Sequence, residues 1–215
     1  MRIRTTILAA AALMIGFSAA QQALADTVYN QPVALNYGYF SDSMSGFTAY
    51  DNFTLSAGAT ITSVDWAGEG GLYETPAPTS FTISFYSDNG DAPGTFLGST
   101  VVGDGSPVGI GTDSNGEAYG YSADINPFTA AAGTQYWMSI FDNDTDNYWA
   151  WETGTGGDGL VISIDDSGAV YASSDDLAFS LNSSPSATPE PSSLILLGTS
   201  LLGAAGIARR RFLRG

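Results

Sequence analysis

The chain has 215 residues, room for one domain once its ends are set aside, and a formal charge of −16. All six basic residues lie at the ends (Arg2, Arg4, Arg209, Arg210, Arg211 and Arg214), whereas 21 of the 22 carboxylates fall between Asp26 and Asp176. With no Lys, Arg, His or Cys in between, that stretch has no phosphate clamp, no thiol or imidazole catalyst and no usual zinc ligand, and it would repel nucleic acid.

Residues 1–25 are laid out as an export signal. Arg2 and Arg4 form a charged start, Ile7 to Phe17 an apolar run, and Ala23-Leu24-Ala25 an A-x-A cleavage site before Asp26. The run is too short for a stable membrane span, so a helix near 5–22 is expected only in the precursor. Signal peptidase then leaves a mature chain that begins at Asp26.

From Asp26 to Leu181 the pattern predicts an all-β domain. Gly, Ser, Thr, Asp and Asn punctuate it every ~8–12 residues, the spacing of a sandwich or barrel. Apolar residues alternate with period two in several segments. In Ile61–Trp66, Ile61, Ser63 and Asp65 oppose Thr62, Val64 and Trp66. Phe81, Ile83 and Phe85 oppose Thr82, Ser84 and Tyr86, and Tyr136, Met138 and Ile140 oppose Trp137, Ser139 and Phe141. Leu160, Ile162 and Ile164 oppose Val161 and Ser163, and Leu177, Phe179 and Leu181 close the domain. The expected core is Phe81, Ile83, Phe85, Met138, Ile140, Ile162 and Phe179. Turn sequences such as Asp88-Asn89-Gly90 and Asp113-Ser114-Asn115-Gly116 separate roughly nine or ten strands, which suits a jelly-roll-like β-sandwich.

Three constellations offer chemistry. Asp142, Asp144 and Asp146 stand at alternate positions of one loop, the clustered oxygens that a hard Ca²⁺ ion needs. The spacing departs from an EF-hand, with Asn147 at the glycine position and Thr153 at the closing glutamate; the alternative is a polar hairpin tip. Trp149 and Trp151 share a strand face and are candidates for a glycan platform, the alternative being core packing. Glu69, Glu74, Glu117 and Glu152 are the scarce glutamates from which a glycosidase pair would be drawn, and solvated acids are their default reading.

Residues 182–188 are a polar linker, Asn182-Ser183-Ser184-Pro185-Ser186-Ala187-Thr188. After it come Pro189, Glu190 and Pro191, an apolar run from Leu194 to Ala208 and the basic cluster Arg209, Arg210 and Arg211. The run predicts a short transmembrane helix within 192–211, whose arginines stay cytoplasmic and leave residues 26–190 on the outer side.

The tail from Thr188 to Gly215 resembles the PEP-CTERM sorting signal of Gram-negative bacteria, a kind of tail also described as ice-binding protein C-terminal-like. The resemblance implies processing by an exosortase, a membrane transpeptidase-like enzyme linked to exopolysaccharide and biofilm matrix. More loosely, Phe81–Thr100 and Tyr136–Glu152 resemble ectodomains borne by such proteins, with no binding residue carried over.

The expected organisation is therefore a signal peptide (1–25), an extracytoplasmic sandwich (26–181), a linker (182–188) and a sorting signal (189–215). The expected role is that of a non-catalytic structural or adhesive protein, anchored transiently in the inner membrane and then delivered to the cell surface or matrix. Its expected partners are signal peptidase, exosortase, the membrane and exopolysaccharide. The alternatives are a carbohydrate-binding module, with Ca²⁺ as its one candidate cofactor, and a carboxylate-based glycoside hydrolase.

Overall fold

The computed structural model describes residues 25–70 and 77–184. The two expected helices, the Pro189-Glu190-Pro191 motif and the arginine cluster lie outside the described residues.

Within them every regular element is a strand. These are β1 (Asp26–Gln31), β2 (Val33–Phe40), β3 (Phe47–Thr54), β4 (Ala59–Gly70), β5 (Ser80–Asp88), β6 (Pro93–Gly103) and β7 (Val108–Thr112). The second half supplies β8 (Glu117–Ala130), β9 (Gln135–Asp142), β10 (Trp149–Gly154), β11 (Val161–Asp165), β12 (Val170–Ser173), β13 (Asp176–Leu177) and β14 (Phe179–Ser183). Fourteen strands exceed the nine or ten expected, because the short ones lack an apolar face to betray them. All of β7 is exposed and most of β12 is, so ladder hydrogen bonds rather than burial hold both.

The strands form two antiparallel sheets packed as a sandwich. The smaller runs β12-β11-β3-β9-β5-β6. The larger is organised around β4: β8 pairs along one edge, while β14 and then β10 share the other. At the fork the Ala67 N–H donates to the Ala178 carbonyl, and the Ala178 N–H donates to the Glu152 carbonyl at 2.8 Å. β2 lies along the remaining edge of β10. β1 pairs with β14 and places Asp26 opposite Ser183, so the two ends of the domain leave from one edge.

Aromatic rings fill the space between the sheets. Phe81 of β5 meets Trp66, Tyr121 and Trp149 edge-on, with centroids 5.0–5.3 Å away. Phe85 stacks on Phe128 at 4.3 Å, and Phe53 lies within 6.5 Å of Tyr29, Phe85, Tyr136 and Phe179. A Cβ at Gly68 would overlap the Trp149 ring, so the indole seats flat against β4 only because that residue is glycine.

All seven expected core residues are buried, and six belong to one cluster. Ile162 is the exception: Val161 joins the cluster, while Ile162 is buried on the opposite face, in register with Tyr50 and Ala172. Ile61 departs from alternation in the other direction. The register breaks between Ile61 and Ser63, by two residues against β8 and by one against β14, so Ile61, Val64 and Trp66 all enter the core. The linker also starts later than expected, since β14 runs to Ser183. Buried Asn182 accepts from the Thr27 hydroxyl and donates to Asp65 at 2.8 Å each.

Phe53→Ala should lower unfolding free energy by about 3–5 kcal/mol in urea titration, since the ring is wholly buried among four others. Val101→Ala, at a position 69% exposed, should change it by less than about 0.5 kcal/mol.

Candidate functional site

The loop between β9 and β10 disperses the three aspartates expected to hold calcium. Asp142 is wholly buried, and its Oδ1 accepts from the Asp144 N–H at 3.1 Å. Its Oδ2 has no hydrogen-bond partner, and neither does Oδ2 of buried Asp42, which forms an isolated bridge with Asp142. Burial, and then the charges of Asp144 and Asp42, push the Asp142 carboxyl up to about 7. Asp144 accepts from the Thr79 N–H at 2.7 Å and from its hydroxyl at 2.9 Å, tying the loop to the segment before β5. Asp146 is exposed. One buried group, one occupied group and one solvated group do not make a cage.

Trp149 and Trp151 do share a face, and that face points into the core. Both rings are wholly buried, and the Trp151 indole N–H donates to the Ala178 carbonyl at 2.9 Å. Neither offers a surface to a sugar. The hydrophobic gain from covering two indoles outweighs exposure wherever a facing sheet is available.

The structure instead gathers three acids that are far apart in sequence. Glu69 lies near the end of β4 in register with Ala150 of β10, and Glu152 follows two residues later on the same face. The tryptophans occupy the other face. Gly38 of β2 stands opposite Glu152, and a Cβ there would come within 2.7 Å of the Ala150 methyl and 3.1 Å of Glu69 Oε1. Glycine at 38 therefore keeps space beside the carboxylates.

The third acid arrives on the turn between β7 and β8. Asp113 Oδ1 accepts from the N–H groups of Asn115 at 2.7 Å and Gly116 at 2.9 Å, which fixes Asp113-Ser114-Asn115-Gly116 as a tight turn. The Ser114 hydroxyl reaches the Asn36 carbonyl at 3.1 Å, and the Asn115 amide donates to Glu69 Oε1 at 3.3 Å. The turn is thereby laid over the sheet, and one oxygen each of Glu69, Asp113 and Glu152 lies within 4.8 Å of the other two.

Glu69 and Glu152 are wholly buried and Asp113 is half-buried. Glu152 Oε2 accepts from the Thr153 N–H at 3.0 Å, but Glu152 Oε1 and Glu69 Oε2 have no partner. Burial, followed by the hydrogen bond to Asp113 and its charge, pushes Glu69 up to about 8. Burial likewise lifts Glu152 to about 7. Burial also opposes ionisation of Asp113, yet its bonds with Glu69 and the Asn115 and Gly116 N–H groups hold it below the usual range.

Glu69 and Glu152 were visible in the sequence as rare glutamates. Asp113 was visible only as a turn former, and nothing in its spacing tied it to the other two. Glu117 points elsewhere and accepts from the Tyr119 hydroxyl at 2.6 Å, and Glu74 lies outside the described residues.

Fold and site together define an acidic all-β sandwich with a buried carboxylate cluster on its larger sheet. In the tail, the family model for the PEP-CTERM protein-sorting motif matches residues 187–211. The chain thus carries a PEP-CTERM sorting motif at its C-terminal end, and that motif implies export, membrane transit and processing by an exosortase. No curated protein matches it.

Buried Asp51 holds its carboxyl well above the usual range, chiefly through burial, despite accepting the Leu177 and Asn52 N–H groups. With Asp142 it makes the folded state bind more protons than the unfolded chain above about pH 4. That stabilisation is complete below the unfolded pKa and is lost as pH rises through the folded values. In chelator, the melting temperature should therefore fall between pH 5.5 and 8.5, and Asp142→Asn should flatten the slope. A melting temperature that rises over this window would contradict the assignment.

Proposed function

We propose that the chain is a surface or extracellular-matrix protein with a structural or adhesive, non-catalytic ectodomain, linked to exopolysaccharide or biofilm. After export, the tail holds it in the inner membrane until an exosortase releases it toward the cell surface. The observation that carries this reading is the sorting motif at 187–211, on a chain whose first 25 residues are laid out as an export signal.

The ectodomain agrees with such a role. The pairing of Asp26 with Ser183 brings the cleavage site and the root of the tail to one edge, leaving the rest of the sandwich free to face outward. Two of the three clustered acids are wholly buried, which favours a structural task over hydrolysis of a polymer.

A carbohydrate-binding reading draws support from a different place than the tryptophans. Tyr37 and Tyr39 of β2 lie 5.9 Å apart, and both hydroxyls donate to Asp175 Oδ2, at 2.9 and 2.5 Å. Tyr37 is 40% exposed, so this pair offers an accessible ring beside a carboxylate. The rings are tilted by 52°, which gives one stacking face rather than a continuous platform.

Replacing Pro189-Glu190-Pro191 with alanines should leave secretion across the inner membrane intact and retain the protein there. Fractionation and immunoblotting read this directly, and normal surface delivery of that variant would sink the sorting reading. On a glycan array, binding that is lost in Tyr37→Ala would establish the second reading, and an array without signal would remove it.

A further inference from the structure

We propose that Glu69, Asp113 and Glu152 form a calcium site that clamps the β7–β8 turn onto β4 and β10 of the larger sheet. The site is distinct from the Asp142 loop and does not depend on how the tail is processed.

Convergence is the first observation. Three carboxylates from three separate segments bring an oxygen each to within 4.8 Å of the others. An ion centred among three oxygens that close lies at most about 2.8 Å from each, so a small inward movement brings all three to a calcium–oxygen bond of ~2.4 Å. Like charges converge in this way only when something of opposite sign lies between them or a proton neutralises them.

Unmet bonding capacity is the second, independent observation. Glu69 and Glu152 are both wholly buried, yet Glu69 Oε2 and Glu152 Oε1 have no hydrogen-bond donor. Buried carboxylate oxygens are costly to leave without a partner. Buried Asp51 and Asp176 are met by backbone N–H groups, Asp176 by Gly157 at 2.9 Å and Gly159 at 2.7 Å, while Asp42 and Asp142 share the shortfall with one unmet oxygen each. No Lys, Arg or His between residues 5 and 208 is available to fill the gap with a side-chain cation.

Donor chemistry then selects the ion. Every candidate ligand is oxygen, which disfavours zinc and copper and suits a hard divalent cation. The ligands come from two strands and one turn in an irregular arrangement, which suits the flexible coordination of calcium better than the strict octahedron of magnesium. The space kept by Gly38 beside Glu69 Oε1 leaves room for the ion or for a water completing its shell.

The rival occupant is a proton shared between Glu69 and Asp113, and titration of the full chain separates the two. Chelator-treated protein in 150 mM NaCl should bind about one Ca²⁺ per chain by calorimetry, with Kd in the ~10⁻⁴–10⁻³ M range of extracellular modules. Its melting temperature should rise by about 5–10 °C at a hundredfold excess of CaCl₂ over Kd. Glu69→Gln and Glu152→Gln should each weaken binding at least about tenfold, as should Asp113→Asn on the half-buried turn, while Asp124→Asn should bind as the parent does.

Melting of Glu69→Gln in chelator checks that the variant folds, since the amide keeps the shape of the acid. Absence of saturable binding would overturn the site in favour of the shared proton. Full affinity in both glutamine variants, or an equal rise in melting temperature with matched NaCl, would overturn it as well.

Discussion

A domain that carries 21 carboxylates and no basic side chain must find other partners for every acid it buries. Most of them are the backbone itself. Asp51 accepts from Leu177 and Asn52, Asp176 from Gly157 and Gly159, Asp42 from Ser45, and exposed turns at Asp113 and Asp165 repeat the device. Each such bond pins a loop to a strand or closes a turn, so the acids act as connectors. These N–H bonds offset part of the cost of burying a charge, and burial still raises the carboxyl where it is deepest, as at Asp51.

The same constraint explains why the carboxylate cluster stands out. Glu152 takes a single neighbouring N–H, that of Thr153, and Glu69 only the Asn115 amide. Their side chains occupy the face away from the core, beneath a turn that brings in a third acid rather than a donor-rich cover. Asp142 and Asp42 show the same shortfall, each with one oxygen unmet, but without a third acid brought over them. Sites of this kind arise in an all-acidic sandwich because repulsion cannot be relieved internally.

The branching of the larger sheet gives the domain its shape. β4 carries β14 and β10 in succession along one edge, with Ala178 bonded on both sides of the fork and the Trp151 indole hooked to its carbonyl. That fork positions β10, and β10 positions both the buried tryptophans on one face and Glu152 on the other. Core and cluster are therefore two faces of one strand, and a change in its register would move both at once. The last strand, β14, lies between β1 and β4, across β4 from the turn that bears Asp113.

Class and address were legible in the amino-acid sequence because both depend on local order. The charged and apolar blocks of the C-terminal end form a linear segment, and the match at 187–211 agrees with reading it as a sorting motif. Period-two alternation and turn residues are likewise local, so the β character and six members of the core cluster followed from them. Local alternation failed where pairing overrode it: at the bulge that turns Ile61 inward, and in β11, where Val161 rather than Ile162 faces the core.

The site was decided by tertiary structure alone. Sequence proximity favoured Asp142, Asp144 and Asp146, but neighbours on a loop point wherever its backbone turns them, and these three diverge. Glu69, Asp113 and Glu152 meet because β4 and β10 pair in one register and the β7–β8 turn folds across them. Whether Trp149 and Trp151 were platform or core depended on the facing sheet, which no single strand encodes. A linear pattern specifies which residues share a face; only the packing of one sheet on another specifies what that face meets.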